Sequence, residues 1–153
     1  MTGRLLEPGL YNHDTLEIGD HYDTAHITVT PAAILAFADL TGDHFEIHLS
    51  DQGAAAHGFP AQVAHGLLVL SLVEGLKSAA PVQLGSFAAL HWDWQFRKPV
   101  LAGDTITCRI TILAKRAAGP RSTQLTLGLQ VTNQRGQCVQ HGQTRVMTRR
   151  DKG

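Results

Sequence analysis

A chain of 153 residues is one domain's length and long enough to bury a sizeable core, and 43% hydrophobic against 17% charged residues marks it as globular rather than disordered. Thirteen basic residues balance thirteen acidic ones, so the overall field gives no case for binding nucleic acid or an anionic membrane. Cys108 and Cys138 lack the CxxC spacing of zinc or redox sites and read as two free thiols. With no apolar leader in MTGRLLEPGLYNHD, a cytoplasmic protein is expected.

Met1 to Asp14 carries turn residues and no period, and reads as an irregular arm. YDTAHITVT, Tyr22 to Thr30, is rich in Thr, Ile and Val and predicts a strand. Thr30 followed by Pro31 is a helix start, a capping hydroxyl before a proline at the first helical position. Ala33, Ile34, Phe37 and Leu40 recur at helical spacing, so a short helix is predicted over Pro31 to Leu40, ended by Thr41 and Gly42. A polar loop follows, with one short helical turn near Asp51 to Ala56. Ala61 to Ala80 then predicts a central helix whose apolar residues lie on every side, so that protein should enclose it. Its apolar run is far below the roughly 20 residues of a membrane span.

Four strands are predicted after Pro81: Ser86 to Arg97, Asp104 to Lys115, Arg121 to Thr132 and Gln137 to Arg149. Short turns between them predict an antiparallel meander. Ile106, Cys108, Ile110 and Ile112 alternate with Thr105, Thr107, Arg109 and Thr111, which gives one apolar face for the helix to cover. The expected class is α+β, a curved antiparallel sheet wrapped on one long helix, in a single domain.

Asp43 and His48 lie five residues apart in the loop before that helix. A carboxylate and an imidazole converging on one water can move protons in both directions near neutral pH. The helix starts at His65 and Gly66, where free backbone N–H groups can polarise a carbonyl and a missing side chain leaves room for a ligand oxygen. Glu74, on the same helix, either faces a ligand pocket or reaches solvent beside Lys77 and Lys98. Trp92, Trp94 and Phe96 share one strand face, as core packing or as a ligand wall. His57, His65 and His91 have no metal-site spacing, so no metal is expected, and no Gly-rich phosphate loop precedes a helix.

Three stretches, ADLTGDHFEIH at Ala38 to His48, AHG at Ala64 to Gly66 and FRKPVLAGD at Phe96 to Asp104, together resemble the MaoC-like dehydratases, also called the (R)-specific enoyl-CoA hydratase family. The resemblance implies a hot-dog fold, a homodimer, and reversible hydration of a trans-2-enoyl thioester to an (R)-3-hydroxyacyl product. It puts Asp43 and His48 on the catalytic pair and Gly66 on the glycine whose N–H binds the carbonyl; from their places in the chain, His65, Phe45 and Glu74 are further candidates for substrate contact. The substrate would be an acyl-CoA or acyl-carrier-protein thioester, with coenzyme A entering only as part of it and no separate cofactor. Phe45 and Glu46 stand where the family usually has Asn-Pro, which reshapes the expected pocket. Two other readings fit the same architecture: an acyl-CoA thioesterase and a non-catalytic acyl-thioester-binding or dimerisation partner.

Overall fold

The computed structural model describes residues 3–150. In chain order the elements are β1 (Gly9–Leu10), β2 (His21–Asp23), β3 (Ile27–Thr28), α1 (Pro31–Thr41), a 3-10 turn (Glu46–His48), α2 (Asp51–Ala55), α3 (Gly66–Ala79) and β4 (Val82–Gln83). Four long strands follow: β5 (Ser86–Phe96), β6 (Thr105–Ala117), β7 (Ser122–Asn133) and β8 (Cys138–Arg149). The helix start at Thr30 and Pro31 forms as expected, with the Thr30 hydroxyl accepting the Ala33 N–H at 3.1 Å. Gly42 ends α1 in the left-handed region at φ 79°, its N–H closing on Ala38. That sharp stop turns the chain straight into Asp43.

The sheet runs β2–β6–β7–β8–β5, with β3 pairing the far end of β6. Successive pairing holds for β6, β7 and β8, but β5 pairs with β8 and not with β6. The meander expectation is therefore corrected at one connection. Pro99 has no N–H for a hairpin ladder. Instead, Arg97 and Lys98 both donate backbone N–H to Val139 O, and the next residues bond to the segment before α3: Ala64 N–H to Val100 O at 2.8 Å, Ala102 N–H to Gln62 O at 2.9 Å. The connection thus crosses the end of the sheet and is stitched to the approach of the helix.

The same stitching shortens the predicted central helix. Residues 62–64 are held extended, so α3 starts at Gly66 rather than near Ala61. Val69 and Val73 are fully buried and Leu68 nearly so, whereas Leu67 is 60% exposed and heads an exposed stripe with Ser71, Gly75 and Ser78. Within one chain the helix is covered on one face only, not all round. The predicted strand over Tyr22 to Thr30 is broken into β2 and β3, because Thr24 bonds to the backbone of Cys108 instead of continuing the ladder. The N-terminal arm, expected to be irregular, is tied down where β1 pairs in parallel with β4 and Leu5 bridges to His21. Met1 and Thr2, its first residues, lie outside the described part.

The apolar face of β6 is as predicted, with Ile106, Cys108, Ile110 and Ile112 all at 0% exposure. Leu125, Leu127, Leu129 and Val131 of β7 continue it beneath α3. Removing each such aliphatic side chain from water is worth about 1.5–3 kcal/mol. Burial pushes the Cys108 thiol up to about 12, so it stays protonated and packs as a small apolar group. At the sheet edge, β5 leaves Phe87, Leu90 and Phe96 more than half exposed. No helix among the described residues is long and apolar enough to cross a membrane.

Candidate active site

Asp43 follows the cap of α1, and its Oδ1 accepts the Phe45 N–H at 3.3 Å, which bends the chain into the 3-10 turn. That turn carries His48 inward until it is 8% exposed. The Nδ1–H of His48 donates to the Val63 carbonyl at 2.7 Å, which assigns the tautomer and leaves the Nε2 lone pair open. Gln62 donates to the His48 carbonyl at 2.7 Å, and the Val63 N–H to Ile47 O at 2.9 Å. The extended segment that delays α3 is therefore also the rack on which His48 is mounted.

His65 occupies the N-cap of α3 but makes no capping hydrogen bond with its side chain. Its Nε2–H instead donates to the Asp43 carbonyl at 3.0 Å, and its ring stacks on His48 with centroids 3.7 Å apart and planes 20° from parallel. Phe37 meets the His65 ring edge-on at 5.0 Å. Asp43, His48 and His65 each offer a ligand atom within 4.8 Å of the others. The expectation of no metal-like cluster therefore needs amending, since His65 groups with Asp43 and His48 rather than with His57 and His91. The stacking is nevertheless ill suited to a shared ion. Lone pairs lie in the ring planes, and planes this close to parallel do not converge within a metal–nitrogen bond of about 2 Å. A water, with hydrogen bonds of about 2.8 Å to two groups, fits the Asp43–His48 separation.

These groups open onto a cavity of about 650 Å³ walled by Phe37, Ile47, Phe59, Val63, Phe96 and Val100. Gly66 lines it beside the pair, and the first turn of α3, which has no side-chain cap, therefore begins at the cavity. The room a Gly66 side chain would take is already filled: a Cβ there would stand 2.5 Å from the Phe96 ring. The glycine thus answers to Phe96. Arg97 and Lys98 stand at the rim.

Two sequence candidates lie off this wall. Glu74 accepts a hydrogen bond from Lys77 at 2.6 Å further along α3, the solvent-side alternative of its two readings. Phe45 is 49% exposed and packs its ring on His57 at 4.9 Å, while Glu46 pairs with His57 at 2.6 Å. The Phe-Glu pair in place of Asn-Pro therefore builds an outer buttress with His57. Gln140 was not singled out from the sequence. It is 2% exposed, accepts from Trp94 Nε1 at 2.9 Å and donates to Gly66 O at 3.2 Å, tying β8 and β5 to the helix start. Nothing in its local pattern marks it, because its neighbours come from distant parts of the chain.

A family model described as "MaoC like domain" matches residues 14–135. This chain belongs to the MaoC-like domain family. Protein MaoC of Klebsiella aerogenes is 35% identical over 71% of this chain, which spans only 32% of that relative. The (R)-specific enoyl-CoA hydratase of Aeromonas caviae is 34% identical over 62% of this chain and 70% of its own length. The solved (R)-hydratase from A. caviae, involved in PHA biosynthesis, superposes with a TM-score of 0.74 at 30% identity, covering 86% of this chain and 96% of that one. A Mycobacterium tuberculosis protein with a double hotdog fold shares the fold at a TM-score of 0.79 and 23% identity, over 92% of this chain and 45% of its own. The MaoC-like chain here has the hot-dog fold, α3 being the helix that the sheet wraps.

Proposed function

We propose that this MaoC-like protein hydrates a trans-2-enoyl thioester, or dehydrates the matching (R)-3-hydroxyacyl thioester, with Asp43 and His48 activating the water. The observation that carries the reading is the opening of Asp43 and His48, with a carboxylate oxygen and a ring nitrogen within 4.8 Å, onto an apolar cavity beside a helix start without a side-chain cap. The apolar walls suit an acyl chain, and the helix N–H groups suit a thioester carbonyl on which negative charge builds during addition. A water held between the two residues loses a proton to Asp43 while its oxygen bonds to the β-carbon. His48 holds that water through Nε2. The proton then returns from the pair to the α-carbon on the same face, so one water is added and none of the protein's own protons is lost.

The carrier is coenzyme A or an acyl-carrier protein, whose phosphates meet Arg97 and Lys98 at the rim. A second copy pairs along the free edge of β5, where an exposed strand with large apolar side chains calls for a partner. The deciding experiment mixes purified protein with crotonyl-CoA, longer linear and branched enoyl-CoAs. The expected result is loss of the enoyl-thioester absorbance without release of free thiol. Release of thiol from saturated acyl-CoA would replace this reading with a thioesterase, and no change with any thioester would leave a binding role.

A further inference from the structure

One side chain touches both halves of the proposed pair without belonging to it. His65 holds Asp43 through the main-chain carbonyl at 3.0 Å and His48 through its ring face at 3.7 Å, and its own backbone adjoins Gly66. The helix cap it occupies favours Ser, Thr, Asp or Asn, whose short oxygens close on the first turn. Here that capping is forgone, and the side chain reaches back 22 residues to the loop instead. Donation from Nε2 to a carbonyl requires the proton on that nitrogen, which makes Nδ1 an acceptor. That Nδ1 is buried with no hydrogen-bond partner among the described residues. A histidine serving only as packing would be better replaced by an apolar ring, which leaves no acceptor unpaired.

The two imidazoles are consequently locked in opposite tautomers: His48 protonated on Nδ1 by way of Val63, His65 protonated on Nε2 by way of Asp43. The His48 ring is thus anchored by the Val63 carbonyl and stacked face to face on His65, which Phe37 in turn contacts edge-on. Rotation of His48 about its last torsion would have to displace His65, and with it the Asp43 carbonyl.

We propose that His65 is a positioning residue that sets the His48 ring plane and the Asp43 loop as one unit, so that both groups address the same water. It acts through those two residues and through neither substrate nor water. This role rests on the hydratase reading above, and two variants separate its parts. His65→Phe keeps a ring on His48 but loses the bond to Asp43. His65→Gln keeps a donor for Asp43 but loses the stack.

With crotonyl-CoA, His65→Ala is expected to lower kcat about a hundredfold, the scale of a misplacement of about 1 Å, with KM within about twofold. Phe and Gln should each recover part of that loss. In a His48→Ala background, His65→Ala should cost little more, because the residue it positions is gone. Independently of activity, the carbon-bound ring protons of His48, observed by NMR in histidine-labelled protein, should move downfield in His65→Ala and stay near their wild-type shifts in His65→Phe. Unchanged His48 signals in folded His65→Ala would overturn the proposal, as would an unchanged kcat with a raised KM. An inactive wild-type protein whose His48 signals still respond to His65 would instead overturn the hydratase reading and leave the positioning role standing.

Discussion

The apolar face of β6 and the segment from Gly42 to Gly66 are both well buried where it matters, yet they are held by different forces. On β6 the buried side chains are Ile106, Cys108, Ile110 and Ile112, and the backbone satisfies itself in the ladder with β7. Non-directional apolar burial does the work there, and a change of volume is felt as stability. Between Gly42 and Gly66 the buried polar side chains are His48, Gln62 and His65, each bonded to a main-chain carbonyl. Directional bonds at fixed distances hold that segment, so small changes should register as lost geometry before lost folding.

Substitutions on the two sides can break or sharpen this contrast. The largest effect is expected from Asp43→Asn and His48→Ala, each lowering kcat by about 10²–10⁴-fold, as loss of a general acid–base group does, with the melting temperature little changed. Steady-state hydration alongside thermal unfolding checks this, and wild-type turnover in both variants would remove the mechanism. Ile110→Ala should do the reverse. It deletes a fully buried side chain and should cost about 2–5 kcal/mol in denaturant unfolding, while turnover per folded molecule stays at the wild-type level.

Gly66→Val tests the boundary between the two regions, because its side chain must enter the space of the Phe96 ring. Overpacking of that kind costs about 1–3 kcal/mol, and the displaced ring should raise KM for the thioester. Adding Phe96→Ala should recover stability; if it does not, the clash is not the cause. The smallest effect concerns Asp20 at the far edge. Burial raises its carboxyl, but the Arg4 guanidinium and the Glu17 N–H outweigh burial and hold it below the usual range. A depressed carboxyl gives stability that is complete above its unfolded value of about 4 and lost as pH falls through the folded one. The stability gap between wild type and Asp20→Asn should therefore be constant towards neutral pH and shrink below about pH 4, as followed by thermal melts across that range.

Several parts of the molecule were legible in the order of residues because their causes are local. The Thr30-Pro31 start of α1, the Gly42 stop and the alternation of β6 each depend on neighbours within a few positions. Asp43, His48, His65 and Gly66 were also found in the chain, and the fold brings all four to one cavity. Glu74 pairs with Lys77 away from the cavity, and Phe45 stands just outside its wall, its ring on His57 and 6.4 Å from that of His48. Gln140 was invisible because its partners, Trp94 and Gly66, lie 46 and 74 residues away.

By itself the sequence determined the start and stop of α1, the four long strands, the apolar face of β6 and which polar groups stand near the start of α3, since periodicity and capping act over single turns and strands. Only the tertiary structure decided that β5 joins β8, that residues 62–64 stay extended, and that His65 lies flat on His48. Those outcomes turn on backbone hydrogen bonds and ring contacts between segments far apart in the chain, where the available partners exist only once the sheet has closed on its helix.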